Sequence, residues 1–248
     1  MTSRPSGDRS STLVKRGLLG LLGATVAVSL LALGAPRLIS AFALLSAGPI
    51  LTKLQLQHPV SDEELDTFAG AQRRGLAWSE NRRRWTDLGL AQLLMAERYT
   101  ADDPMRTTML DEGIRSIKTG LRMAPANPFA WVRLAHAEGL KRLGSSEALT
   151  TYRMALDTAP YEPRLMYTRI RIGLLHWRWL DREDRRQLFQ QIRFGWARNA
   201  RHLVDAALDV NRVNIVRAAL FSDREALAKF EKWLKVRRAQ RRREREQS

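Results

Sequence analysis

The chain has 248 residues, with 42 basic and 26 acidic side chains and a formal net charge of +16 at pH 7. That length holds one or two domains, and its aliphatic residues and seven Trp suffice for a sizeable core. Cys is absent, which excludes disulfides, thiolate metal sites and a Cys nucleophile while leaving the compartment open.

Residues 1–16 carry Arg4, Arg9, Lys15 and Arg16 against Asp8, a basic segment expected to stay in the cytoplasm. Residues 17–36 are uncharged. Twenty residues of helix rise about 30 Å, close to a bilayer core, so this run reads as a transmembrane anchor. A basic flank before an apolar run also describes a signal peptide, with Leu33 and Ala35 near a cleavage point. Pro36 would follow that cut and should hinder it. A soluble buried helix is the third reading. The anchor reading places the protein in a bacterial inner membrane as a single-pass chain, with a periplasmic body. Residues 37–60 remain apolar and read as a stalk or interfacial segment. If they entered the membrane as a hairpin, the body would return to the cytoplasm.

The body spans residues 61–236. Ser61 with Glu64 forms a predicted capping box. The helix it opens carries Leu65, Phe68, Ala69, Leu76 and Ala77. Trp85, Leu88 and Gly89 then stand at W-x2-L-G spacing, as in the first helix of a tetratricopeptide repeat. A polar turn at 100–106 precedes a stripe of Leu110, Ile114, Ile117 and Leu121. After Pro128, Trp131, Leu134 and Ala135 repeat the Trp85 spacing. A shift of 35 residues turns Ile114, Ile117 and Leu121 into Leu149, Tyr152 and Leu156, and Pro125 and Pro128 into Pro160 and Pro163. Gly120 becomes Ala155, small for small. Self-similarity at this period marks stacked helix pairs. The unit after Pro163 is degenerate, with Met166 for Trp131 and Arg169 for Leu134. Further helical stripes carry Leu188, Ile192 and Trp196, then Leu203 to Val210, then Val213 to Leu220, then Leu227 to Leu234. No strand-like alternation occurs. The fold class is all-α: an N-terminal transmembrane helix, then a TPR-like α-solenoid of about nine helices. Residues 237–248 form a basic tail with Arg237, Arg238, Arg241, Arg242, Arg243 and Arg245.

The segments 121–140 (LRMAPANPFAWVRLAHAEGL), 86–91 (TDLGLA) and 158–174 (TAPYEPRLMYTRIRIGL) resemble tetratricopeptide proteins. More narrowly they resemble the VpsP-like proteins, bacterial chains with an N-terminal anchor and a short TPR-like body encoded beside exopolysaccharide machinery. The resemblance spans roughly residues 61–235. It implies an accessory role in making or exporting surface polysaccharide, with other membrane assembly proteins as partners, and it brings no catalytic residue.

Repeat position by analogy places Arg83, Thr86, Phe129, Val132, His136, Arg164, Tyr167 and Arg171 along a partner-binding groove. Tyr with Arg would receive a peptide carboxylate or an acidic sugar; the alternative is a solvated face. The tail suits anionic lipid or acidic polysaccharide better than nucleic acid, because no aromatic residues are interleaved with its arginines. No cofactor or metal is expected. His58, His136, His176 and His202 lack metal-binding spacing. Ser145–Ser146 and the Asp181, Glu183, Asp184 group read as helix caps, and no hydrolase motif surrounds them. The leading expectation is a membrane-anchored scaffold. Its rivals are a cleaved periplasmic adaptor and a polysaccharide-modifying enzyme without a recognisable motif.

Overall fold

The computed structural model describes residues 8–56 and 58–247, with side chains from position 21 onward. Residues 1–7 and the side chains of Arg9, Lys15 and Arg16, on which the basic N-terminus was read, lie outside the described residues. The described backbone is helical throughout and contains no strand. It divides into two compact units, Met1–Arg84 and Trp85–Ser248.

The first unit contains α1 (Asp8–Phe42), a short 3-10 turn (Leu45–Ala47), α2 (Gly48–Gln55) and α3 (Asp62–Trp78). α1 continues through Pro36 rather than ending there, so the expected boundary between anchor and stalk falls inside one helix. Pro cannot donate to the ladder, but a neighbouring turn keeps the helix continuous. The side chains change environment at this point. Every residue from 21 to 35 is exposed, whereas Ser40 is buried and its Oγ donates to the Gly75 carbonyl on α3 at 2.5 Å. α3 also packs on the 3-10 turn and on α2, whose Ile50 is buried. The expected capping box at Ser61 forms: Ser61 Oγ accepts from Glu64 N, and Glu64 Oε2 accepts from Ser61 N. Arg84 donates to the Gly75 and Ser79 carbonyls and closes the other end of α3. α3 therefore belongs with the N-terminal helices and not with the repeat body, which begins at α4.

The second unit is built from helix pairs. α4 (Arg82–Ala96) pairs with α5 (Pro104–Met123), and α6 (Pro128–Lys141) with α7 (Ser146–Asp157). α8 (Met166–His176) pairs with α9 (Arg182–Arg198), α10 (Ala200–Asp209) with α11 (Val213–Leu220), and α12 (Arg224–Glu246) follows. From α6 onward the first helices touch in succession, α6 on α8, α8 on α10 and α10 on α12, while α9 touches α11. This neighbour-to-neighbour order is that of a helical repeat. Among the described residues ten α-helices follow residue 61, one more than the sequence count. Caps define most starts: Asn127, Ser145, Asp181 and Asp223 each accept from backbone N–H groups of their own helix. α8 lacks such a cap and starts at Met166, three residues later than Pro163 suggested.

The apolar stripes meet in two clusters. Leu93, Leu110, Ile117, Leu121 and Leu134 form one, and Tyr152, Ile170, Leu188, Ile192, Val216 and Phe230 belong to the larger. Trp131 is half-buried, touches both clusters and donates Nε1 to the Pro125 carbonyl at 2.7 Å. Its repeat partner position carries the degenerate sequence, and there the fold makes a different arrangement. Arg169 stands in the place of Leu134, is fully buried, and donates Nη1 to the Ala159 carbonyl at 2.7 Å. It ties α8 to the Pro160–Pro163 connection. Burial lowers the guanidinium pKa, as it must where a charge leaves water.

Small residues set the separation of the helices. A Cβ at Gly89 would meet Ile117 Cγ1 at 2.4 Å and the Gly113 carbonyl oxygen at 2.9 Å. Gly89→Ala should gain about 1 kcal/mol of helix propensity and lose about 1–3 kcal/mol to overpacking. Because one of the clashing atoms is backbone, loss prevails, and a denaturant melt should show net destabilisation of about 1–2 kcal/mol. Trp131→Ala should cost about 3 kcal/mol in the same measurement, since the ring joins two clusters. A loss under about 0.5 kcal/mol would mark Trp131 as a surface side chain.

Candidate functional site

The first helices of the second unit present a row of charges. At the end of α4, Glu97 Oε1 lies 2.6 Å from His136 Nε2 on α6. One turn earlier on α6, Arg133 Nη1 reaches the Asp87 carboxylate at 3.0 Å and the Thr86 carbonyl at 3.0 Å. On α8, Arg171 faces Asp209 of α10 at 4.0 Å. Asp209 and Asp205 in turn accept from Arg241 of α12 at 2.7 and 3.1 Å, and Asp205 from Arg237 at 2.6 Å. The order across the helices is acid on α4, base on α6 and α8, acid on α10 and base on α12. The pairs are partly exposed, so each holds a geometry more than it adds stability.

Of the eight residues expected to line a groove, this row takes in His136 and Arg171 directly. Thr86 and Val132 are buried, at 2 % and 3 % exposure, and cannot meet a partner. They sit on the side of α4 and α6 that packs into the neighbouring helix, because helix rotation places W-x2-L positions and their neighbours inward. Phe129 packs against the larger core cluster. Tyr167 donates its hydroxyl to the carbonyls of Gly195 and Asn199, at 3.0 and 3.3 Å, and sets its ring edge-on to His202. It fastens α8 to the α9–α10 corner and is not poised to receive a carboxylate. Arg164 is exposed in the turn before α8. Arg83 is exposed on the first turn of α4, within the N-terminal unit.

The tail differs from its expected form. Residues 237–246 are the end of α12, not a separate extension, and Arg237 and Arg241 are bound to α10. Arg238, Arg242, Arg243 and Arg245 point outward and are exposed.

Asp87, Glu97, Arg133, Asp205 and Asp209 are the members of the row that the sequence did not single out. Their partners lie 32 to 46 positions away. The repeat period was the available signal, since it brings such positions together.

Electrostatics follow the geometry. Partial burial pushes the Glu97 carboxyl up. The His136 hydrogen bond, with the charges of His136, Arg171 and Arg106, outweighs that and holds it below the ordinary carboxylate value. Arg171 thereby connects the α4–α6 pair to α8. His176 lies deeper: Nδ1 meets the Ile172 carbonyl at 2.9 Å, and burial lowers its pKa, which keeps it neutral at pH 7. Among the described residues, no group of three or more His, Asp and Glu side chains could hold a metal ion.

Comparison with known proteins returns no match: no family model, no curated protein and no solved structure is similar to this chain.

A depressed carboxylate stabilises the fold above its unfolded pKa, and this contribution disappears as pH falls through the folded value. Glu97→Gln should therefore lower the melting temperature near pH 7, by less than about 1 kcal/mol at this exposure. The wild-type advantage should shrink as pH falls through the depressed pKa of the folded Glu97 carboxyl and the side chain is protonated. A constant difference over that range would show that the Glu97 charge does not contribute.

Proposed function

We propose that this protein is a membrane-anchored helical-repeat scaffold that gathers partners for the assembly or export of an exopolysaccharide. The observation that carries the anchor is the apolar stretch of α1 that runs up to Pro36. It is long and apolar enough to cross a membrane, and all its side chains from 21 to 35 face outward without packing. Exposing Leu21, Leu22, Leu30 and Leu33 to water is unfavourable by roughly 25 cal/mol per Å2, a cost that lipid removes. The basic N-terminal flank orients the chain with residues 1–16 in the cytoplasm and the body outside. Ser40 and the helices after it form a base for the anchor on the water side.

The repeat body supports the scaffold part of this reading. Its first-helix row carries acids held by basic partners, as suits recognition. Arrays of this kind bind along the surface their first helices share. The polysaccharide role follows the resemblance of residues 121–140 and 158–174 to the VpsP-like proteins.

Full-length protein should remain with membranes after carbonate and high-salt washing. Leu22→Arg with Leu30→Arg should release it or block insertion, at about 2.5–3.5 kcal/mol per central charge. The absence of Cys makes orientation readable. Ser146→Cys, at an exposed position, should react with a membrane-impermeant maleimide in intact spheroplasts. Labelling only after lysis would place the body in the cytoplasm and overturn the orientation. A deletion strain should lose exopolysaccharide and regain it with the wild-type chain; undiminished polymer would remove the pathway from this proposal.

A further inference from the structure

Helix α12 sorts its basic side chains into two rows. Arg237 and Arg241 turn to α10 and are bound by Asp205 and Asp209. Lys235, Arg238, Arg242 and Arg245, at steps of three, four and three, share another face. Like charges at this spacing oppose one another along a helix. Among the described residues none of these four forms an ion pair. Glu231, one turn before Lys235, is held in a two-pronged bond by Arg217, at 2.6 and 2.9 Å, and feels Arg238 and Lys235 only through their charge.

This unpaired row opens onto two clefts. One, of about 500 Å3, is lined by Leu208, Ala239 and Lys235, Arg238, Arg241, Arg242 and Arg245. The other, of about 380 Å3, is lined by Trp177, Arg178, Asn211, Arg212, Asn214 and Arg238, together with the apolar Val213 and Ile215. Arg238 borders both, so the clefts adjoin. Arg178 and Arg212 are likewise without an acidic partner among the described residues. Six cations that form no ion pair among the described residues therefore border the two clefts, at the α8–α9 corner, the α10–α11 corner and α12.

The backbone at the recess is specialised too. α10 ends with Asn211 at φ 52°, the left-handed region that usually selects glycine. Arg212 N donates to the Ala207 carbonyl at 3.0 Å and Asn211 N to the Leu208 carbonyl at 3.1 Å, a closed helix terminus that glycine would form with less strain. Asparagine instead sets an amide at the cleft. Asn214 adds another; its Oδ1 accepts from Arg217, which leaves its NH2 directed to solvent.

We propose that these adjoining clefts bind a strand of acidic glycan, its carboxylates on Arg178, Arg212, Arg238 and Arg242 and its hydroxyl groups on Asn211 and Asn214. Guanidinium forks take carboxylates through charge-assisted pairs, and amides both give and accept bonds with hydroxyls. A recess admits a single chain, whereas a bilayer meets a protruding face. Single-stranded nucleic acid needs aromatic platforms. The single aromatic residue lining either cleft is Trp177, whose ring is already stacked on Phe189 and covered by the Arg185 guanidinium. The choice of a glycan over other acidic chains rests on the polysaccharide role proposed above; the cationic recess stands on its geometry alone.

The test uses full-length protein in uncharged nanodiscs, with binding read by fluorescence anisotropy at about 50 mM salt, where charge contacts are little screened. Labelled oligogalacturonate should bind, dextran of equal length should not, and affinity should fall steeply with salt. Arg238→Gln with Arg242→Gln should weaken binding on the order of tenfold or more. Arg178→Gln, on a different corner of the fold, should weaken it in the same direction, so that a folding defect in α12 does not decide the result. Asn211→Gly should weaken binding with an unchanged or higher melting temperature, a combination that a purely structural role for Asn211 would not produce. Arg237→Gln, whose partner is Asp205, should leave affinity nearly unchanged. The proposal is overturned if oligogalacturonate does not bind, or if dextran binds equally. Tighter binding of oligothymidylate or of soluble dihexanoyl phosphatidylglycerol would overturn it in favour of nucleic acid or lipid. Membrane retention and polymer yield are measured separately, so failure here leaves the scaffold reading distinguishable.

Discussion

Helices in the repeat body touch where one of them has almost no side chain. Gly89 lies against Ile117 and the backbone of Gly113, and a Cβ at Gly173 would meet Tyr152 Oη at 2.3 Å and Leu188 Cδ1 at 2.8 Å. The first contact brings α4 onto α5; the second seats α8 between α7 and α9. Helix axes packed through larger residues stand farther apart within the usual range of 8–10 Å. The same device recurs between first helices, where a Cβ at Gly139 on α6 would meet His176 Cε1 of α8 at 2.7 Å. Residues without a side chain thus set how closely these helices approach.

The degenerate third pair shows how the array absorbs an exception. Arg169 occupies a core position that takes leucine one repeat earlier. Its long stem passes through the apolar interior, and its head reaches the Ala159 carbonyl in the connecting turn. Tyr167, two positions before it and on the opposite side of the helix, binds the far corner at Gly195 and Asn199. α8 is thus fastened at both sides by polar bonds to backbone, and this offsets the missing cap at its start. The cost is a buried guanidinium with Nε and one terminal nitrogen lacking a protein partner.

Charge is also divided by use. On α12, residues separated by four positions, Arg237 and Arg241, complete the row by binding α10, while Arg238 and Arg242 beside them form no ion pair among the described residues. One helix thereby closes the fold along one edge and leaves a positive recess along the next. In the N-terminal unit a similar division runs along α1 and not around it. From 21 to 35 the helix is apolar and its side chains are exposed; after Pro36, Ser40 and the short helices are fitted to α3. Each long helix does two things because its neighbours cover only part of it.

Much of this was legible in the residues. Hydrophobic spacing near 3.6 and the Ser61, Asn127, Ser145 and Asp181 caps determine where helices start, since both act within one or two turns. The repeat of Trp85, Leu88 and Gly89 at Trp131, Leu134 and Ala135 determines that neighbouring pairs stack. Uninterrupted apolar sequence up to Pro36 determines a membrane-length helix. Tertiary structure decided the rest. Thr86 and Val132 proved buried because exposure depends on the rotation of a helix against its neighbours, which repeat analogy locates only approximately. Tyr167 and Arg241 look free in sequence, and their partners, Gly195 and Asp209, lie 28 and 32 positions away. Periodicity near 3.6 residues carries no information across such distances; the 35-residue repeat brings such positions near one another but does not choose the partner. Whether an arginine is spent on the fold or left open to a ligand is decided only when helices distant in the chain come to lie side by side.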